Sequence, residues 1–305
     1  MQAVKKGEWL DVLITNEWVG QTVDTILKEK WKTPKKLLHQ YRMEKNVQLN
    51  GTALSHFNMQ VNKGDRLQIR LFIHEDYGVI PEYIPISIYY EDDHLLIVGK
   101  PAGINTHPNE GQGHTLANAV AFHLQSEGIS TKVRHIHRLD KETSGGIVFA
   151  KHQLAGTALD LLLEKRQISR TYIAFVHGIV KRKCGTINER IGRDRHHPSR
   201  RRVSTSGDSA VTHYEVAEVF ATHNITMLKI KLDTGRTHQI RVHLSYLGHP
   251  IVADKLYGGA TARGLARQAL HAEHISFSHP FSNEQIQVSI PWPEDLMNLY
   301  KMIRK

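Results

Sequence analysis

Residues 74–85, HEDYGVIPEYIP, constrain the folding of this chain more than any other segment. Pro81 and Pro85 and the lack of any apolar repeat of strand or helix period mark a linker, so the chain divides into two units, 11–75 and 76–305. Upstream, Val23, Ile26, Leu27 and Trp31 recur at helical spacing, and Leu37, Leu38 and Tyr41 begin a second short helix after Pro34. Val47 and Leu49 lead into Asn50-Gly51, the dipeptide best suited to a tight hairpin, and Leu67, Ile69 and Leu71 alternate as a strand after the Gly64-Asp65 turn. Residues 11–75 therefore read as a small α+β unit.

Beyond the linker the pattern changes. His94–Val98 is a short buried-strand run, and Leu116, Val120 and Leu124 form a helix stripe that stops near Gly128. A second stripe, Leu154, Ala158, Leu161 and Leu162, precedes a strand through Tyr172–Val176. Leu228, Ile230 and Leu232 alternate with Lys229 and Lys231, giving one core face and one wet, basic face. A helix is expected from about Thr237, with Ile240, Leu244 and Leu247 on one face, ending at Gly248 with Pro250 beyond. Strands and helices mix without strict βαβ alternation, so the expected class is α+β, a largely antiparallel mixed sheet with flanking helices.

No apolar run approaches the roughly 20 residues of a membrane span, and the first residues carry no signal-peptide pattern, so the cytoplasm is the expected compartment. The single cysteine, Cys184, excludes an internal disulfide and a Cys-rich zinc cage. Forty Lys+Arg against thirty Asp+Glu give a formal charge of +10, which favours a polyanionic partner, nucleic acid before an anionic membrane. The charge is concentrated: residues 181–202 hold nine basic and two acidic side chains, including Arg200, Arg201 and Arg202. The guanidinium fork suits phosphate contact.

Several chemistries find no motif. There is no Walker-type loop, and Gly111-Gln112-Gly113 is too short for a dinucleotide fingerprint. Twenty-one histidines invite a metal, yet no HExxH occurs, and His271-Ala272-Glu273 lacks the Pro-Cys-x-x-Cys half of a zinc-deaminase signature. Histidines that satisfy loops or contact phosphate are the better reading, and no metal or cofactor is expected. Two segments are chemically dense. In HIHRLDKETSGG, residues 135–146, Asp140 sits in a turn flanked by cations that suit a charged nucleophile, just before the apolar strand Ile147–Ala150. An isolated Asp in such a place would more often cap a turn. DTGRTHQIRVH, residues 233–243, sets Arg236 at an expected helix N-terminus, where an anion is attracted; a surface helix with a Thr cap is the plainer alternative.

HRLDKETSGG at 137–146 and TGRTHQIRVHL at 234–244 resemble the signature motifs of the RluA-type, large-ribosomal-subunit pseudouridine synthase family. The resemblance extends to YEDDHLLIVGKPAGINTHP at 90–108, RTYIA at 170–174, and Leu270-His271-Ala272 with Phe277-Ser278-His279-Pro280. Five ordered motifs span about residues 88–295, with Gly99 standing where the family more often has Asn. Residues 11–75 resemble the small αL-type RNA-binding domain. The resemblance implies isomerisation of uridine to pseudouridine in structured RNA, ribosomal RNA favoured and tRNA possible. It implies that the target nucleotide is flipped out of its stack. Asp140 is then the nucleophile at or through ribose C1′, Arg236 its ion-pair partner, and Tyr172 the residue that packs on the base and helps remove the C5 proton. Arg138 fills the gap left by the flipped base, and Leu270 lines the uracil pocket. His137, His238, Arg200, Arg201 and Arg202 are expected to contact RNA. A monomer is expected, independent of membranes. The rival readings are a non-catalytic RNA-binding or ribosome assembly factor on the same scaffold, which would not require Asp140, Tyr172 and Arg236 together, and a glycosidase or nucleoside hydrolase, which would need a second carboxylate.

Overall fold

In the computed structural model residues 2–109, 113–261 and 264–305 are described; Gly111 and Gln112 of the short glycine segment lie outside them. The first sheet joins β1 (Gln2–Lys6), β2 (Trp9–Leu13), β3 (Val47–Leu49), β4 (Thr52–Ala53) and β5 (Arg66–Arg70) in the antiparallel order β1-β2-β5-β3-β4. Asn50 and Gly51 take φ of 52° and 81°, the left-handed pair that lets β3 turn directly back into β4. The sheet begins at Gln2, so this unit reaches further upstream than the expected 11–75.

The helical stripe forms, but not as a plain α-helix. One α-turn, α1 (Val23–Thr25), opens under the Thr22 hydroxyl, which accepts the Thr25 N–H, and passes into a π-turn over Ile26–Lys30. The Trp31 N–H then reaches the Ile26 carbonyl at 3.3 Å, and the wider turn brings Val23, Ile26, Leu27 and Trp31 all into the core. Helix α2 (Lys35–Met43) starts at Pro34 and buries Leu37, Leu38 and Tyr41. The linker forms neither strand nor helix but is laid against the second unit. Arg134 grips Glu75 through both carboxylate oxygens at 2.6 and 2.8 Å, and Asn118 donates to the Ile80 carbonyl.

The second unit contains β6 (Ser87–Glu91), β7 (Leu95–Lys100), α3 (Leu116–Ser126), β8 (Arg134–His135), β9 (Ser144–Ala150), α4 (Gln153–Glu164) and β10 (Ser169–His177). It continues through β11 (Cys184–Asn188), β12 (Ile191–Arg193), β13 (Arg201–Val203), β14 (Val211–Phe220), β15 (Ile225–Leu232), α5 (Gln239–Tyr246), β16 (Leu270–Ser278), β17 (Gln285–Ser289) and α6 (Glu294–Ile303). The large sheet runs β11-β14-β15-β10-β16-β9-β7-β6, with β17 beside β16 and β8 beside β9. Its pairings among the described residues are antiparallel except one, β16 against β9, where His271 and Ala272 face Ser144 and Gly145. Gly145 has φ of 127°, and a methyl group there would lie 2.4 Å from the Ala272 carbonyl oxygen, so only glycine permits this seam. The expected α+β class, with a mostly antiparallel mixed sheet, is what the chain forms.

The two units share an apolar layer: Trp31 meets Phe281 at 6.2 Å between ring centroids, and Phe72 lies edge-on to His152 at 5.4 Å. Many histidines serve structure. His271, 1% exposed, donates Nε2–H to the Ile290 carbonyl and accepts the Ser144 hydroxyl. Burial pushes its imidazole down to about 4, and does the same to His94 and His135. Folding therefore favours the neutral rings, while the unfolded chain takes up protons below about pH 6.5. Stability is expected to fall as pH drops from about 6.5 towards 4, by about 3 kcal/mol for His271 alone at full expression. A melting temperature that stays flat between pH 7 and pH 5 would contradict this.

Candidate active site

The parallel seam sets two loops side by side, one entering β9 with Asp140 and one entering β16 with Leu270. The Asp140 loop is held from several directions. The Thr143 N–H donates to the Asp140 carbonyl at 3.0 Å, and the Thr106 side-chain oxygen bonds both the N–H and the carbonyl of Leu139. Lys100, 2% exposed, gives its three N–H bonds to the carbonyls of Pro101, Ile104 and Lys141 at 2.8, 2.8 and 2.9 Å. Burial pushes that amine down to about 7, against the pull of the Asp140 and Glu142 carboxylates. Arg267 holds the other side, donating to the carbonyls of Glu142 and Leu270 and anchoring on Asp295 in the first turn of α6 at 2.7 and 2.9 Å. Lys100 ends a continuous apolar run, the one hint in the sequence; Arg267 carries no comparable local signal.

Gly99 also finds its reason here. A β-carbon at that position would lie 2.7 Å from the Tyr89 ring across the β6–β7 pair, so the small residue makes room for the tyrosine.

Asp140, its side chain 20% exposed, opens onto a cavity of about 540 Å³ whose walls include Tyr172, Leu270, Arg138, His137 and His238. The expected partner is not the one that forms. Arg241 donates from Nη1 to Asp140 at 3.0 Å, and its Nε and Nη2 bind Asp254 at 2.7 and 2.9 Å. Burial opposes the Arg241 charge, but its hydrogen bonds to Asp254 and the charge of the Asp140 carboxylate outweigh it and hold the guanidinium above its ordinary value. Arg236 lines the same cavity, yet its Nε donates to the Ser209 carbonyl at 3.1 Å. The cause is local. The helix starts at Gln239 rather than Thr237, because the Gln239 side chain accepts the Arg236 N–H and the Thr234 hydroxyl, while His238 turns left-handed at φ 58°. That kink turns Arg236 away from Asp140 and presents Arg241 from the first turn of α5.

His238 sits 3.9 Å from Asp140, and the Tyr257 hydroxyl, which accepts the Arg201 N–H, donates to His238 Nδ1. Tyr257 also stacks under Arg241, with the guanidinium carbon 4.9 Å from the ring centroid. The arginine-rich end of the basic segment, residues 191–203, is a two-stranded ribbon of β12 with β13. Its Arg200 and Arg202 are exposed, Arg201 is half-buried, and Tyr257 ties it to the cavity edge. Arg138 is exposed at the rim. Tyr172 is 3% exposed, and burial raises its phenol against the opposing charge of Arg170. Among the described residues no three His, Cys, Asp or Glu side chains gather as a metal site, and no helix is long and apolar enough to cross a membrane.

With this geometry in hand, comparison with known proteins is specific. Residues 94–246 match the family model for RNA pseudouridylate synthase, and residues 10–67 match that for the RluD ribosomal pseudouridine synthase N-terminal domain. The chain is 48% identical over 97% of its length to an uncharacterised RNA pseudouridine synthase of Bacillus subtilis, covering 97% of that protein. It is 41% identical to the ribosomal large subunit pseudouridine synthase D of Xanthomonas campestris, over 79% of this chain and 76% of the other. The human RNA pseudouridylate synthase domain containing 1 superposes with a TM-score of 0.57 at 26% identity, covering 72% of this chain and 95% of that one. A motif-bearing Asp at a parallel seam, an Arg on it, and a Tyr and a Leu across one cavity thus coincide with extensive similarity, and the chain belongs to the RNA pseudouridine synthase family.

Proposed function

We propose that this isomerase modifies uridines of large-subunit ribosomal RNA, using Asp140 as nucleophile on a nucleotide flipped into the 540 Å³ cavity. The observation that carries the reading is the Asp140–Arg241 ion pair facing Tyr172 and Leu270 across that cavity. The carboxylate attacks at or through ribose C1′, the C1′–N1 bond breaks with its electron pair going to the base, and an enzyme-linked or glycal intermediate results. The base turns, C5 bonds to C1′ as the Asp140–C1′ ester bond breaks (in the glycal route the proton taken from C2′ returns), the C5 proton is lost and N1 takes up a proton. Tyr172 packs on the base and assists that loss. Arg241, not Arg236, aims the carboxylate, and Arg236 with His238 contacts the RNA from the cavity wall. Arg138 occupies the gap left in the stack. The steps balance without an oxidant or reductant. The protein works as a cytoplasmic monomer.

The names of the relatives support the ribosomal target, and the match at residues 10–67 supports an N-terminal RNA-binding unit. Pseudouridines should be mapped across ribosomal and transfer RNA from cells with and without the protein. Loss of defined large-subunit sites is expected; loss confined to tRNA would overturn the ribosomal target.

The ribbon supplies the polyanion contact in this reading. Changing Arg200, Arg201 and Arg202 together to Ala should weaken RNA binding and lower the slope of log K against log salt by roughly one to three, since each phosphate contact accounts for about 0.7–0.9 of that slope. An unchanged slope would mean that these arginines face away from RNA.

A further inference from the structure

Two buried donors in the cavity wall have nothing to donate to. Arg170 is 8% exposed, lines the cavity two residues from Tyr172, and its Nε has no hydrogen-bond partner among the described residues. The Gly235 backbone closes over it, such that a β-carbon there would sit 3.9 Å from both terminal guanidinium nitrogens. His137 is 7% exposed and lines the same cavity. Its Nε2 accepts the Val148 N–H at 3.4 Å, so the proton of the neutral ring belongs on Nδ1, which is also buried without a partner. Burial holds this imidazole well below its ordinary value, and the charge of Arg170 adds to that.

The two groups cannot satisfy each other, since both donate. The Tyr172 hydroxyl takes a hydrogen bond from the Arg170 guanidinium but leaves its Nε unmet, and the Asp140 carboxylate is engaged by Arg241. A buried donor left unmade costs about 1–3 kcal/mol, so a wall that keeps two of them is shaped for an acceptor that arrives with the substrate or for water that the substrate displaces. A uridine nucleotide offers acceptor-only oxygens in two places, the uracil carbonyls and the phosphodiester. The carbonyls also gain negative charge when the C1′–N1 pair leaves with the base, the moment at which a preorganised cation helps most. If the contacted oxygen is uracil O4, a cytosine would bring its amino donor against these donors and be refused.

We infer that Arg170 and His137 form an acceptor-oxygen subsite for the target nucleotide inside the Asp140 cavity. The inference rests on that cavity being the nucleotide pocket, and it adds a recognition role to residues outside the Asp140–Arg241 pair.

The test is a coupling cycle on binding, run in the Asp140→Asn protein so that chemistry does not intervene. A stem-loop of the modified RNA is prepared with uridine, with 4-thiouridine or 2-thiouridine, or with a methylphosphonate on either side of the target. Each is titrated against proteins carrying Arg170, Arg170→Met or Arg170→Lys, with His137→Phe as the second site. On the uridine RNA, Arg170→Met should cost roughly 10-fold to 100-fold in affinity, and Arg170→Lys less. The RNA that lacks the contacted oxygen should lose affinity for the Arg170 protein and lose no more with Arg170→Met. Coupling to a thio base assigns the subsite to uracil, and coupling to a methylphosphonate assigns it to phosphate. Strictly additive losses with every RNA would overturn the subsite, because a merely structural arginine does not sense which oxygen is missing. The substrate arms leave the protein untouched, so a poorly folding Arg170→Met still leaves Arg170→Lys to decide. Turnover by the Asp140→Asn protein would end the nucleophile reading, whereas additive losses in the cycle would end only the subsite.

Discussion

Arg241→Met is expected to lower both stability and turnover, the first by about 3–5 kcal/mol, because it strands a buried carboxylate. Asp254 is 1% exposed and takes two of the Arg241 hydrogen bonds, so losing the guanidinium leaves its charge uncompensated. Asp140 loses its aim at the same time, and turnover should fall by roughly 100-fold to 1,000-fold, the range for removing a preorganised charge at a reacting centre. Arg241→Lys should be intermediate, since an ammonium lacks the planar fork that spans Asp254 and Asp140 together. Arg236→Ala should leave stability nearly unchanged, because among the described residues its exposed side chain hydrogen-bonds the Ser209 carbonyl alone. Thermal melts and tritium release from C5-labelled uridine RNA on the same preparations check both halves. If Arg236→Ala proved the more damaging to turnover and Arg241→Met left the melt unchanged, the assignment of the pair would be reversed.

That pair also shows where the sequence stopped being legible. TGRTHQIRVHL holds two arginines five residues apart, and choosing between them requires knowing where the helix begins. A Thr cap at 237 was the natural expectation, but the Gln239 side chain closes the turn instead and His238 takes a left-handed conformation. Neither follows from local propensity. Only the structure shows Gln239–Leu244 buried on every face, where an arginine needs an acid, and that acid, Asp254, lies 13 residues on without a motif of its own. The Asn50-Gly51 turn, the Leu228–Leu232 alternation and the helical stripes were readable because each is set by nearest neighbours. Strand order was not. The parallel seam brings together β9 and β16, more than 100 residues apart, and only the demand for glycine at 145 hints at it. Lys100 and Arg267 were overlooked for the same reason, since their work is to hold carbonyls of a loop distant in sequence.

The second large effect concerns Asp140 itself. Asp140→Asn keeps the shape of the side chain and one acceptor oxygen, so the Thr143 and Lys100 bonds that shape the loop, which run to backbone carbonyls, persist. It removes the attacking charge. Affinity for RNA should stay within a few-fold of the unmodified enzyme, because phosphate and stacking contacts elsewhere supply most of it. The direct measurement is tritium release from C5-labelled uridine RNA, in a single turnover with enzyme in excess, paired with a binding titration of the same protein. Binding retained with no release above the enzyme-free rate is the expected result; release near the rate of the unaltered enzyme would show that Asp140 is not the nucleophile.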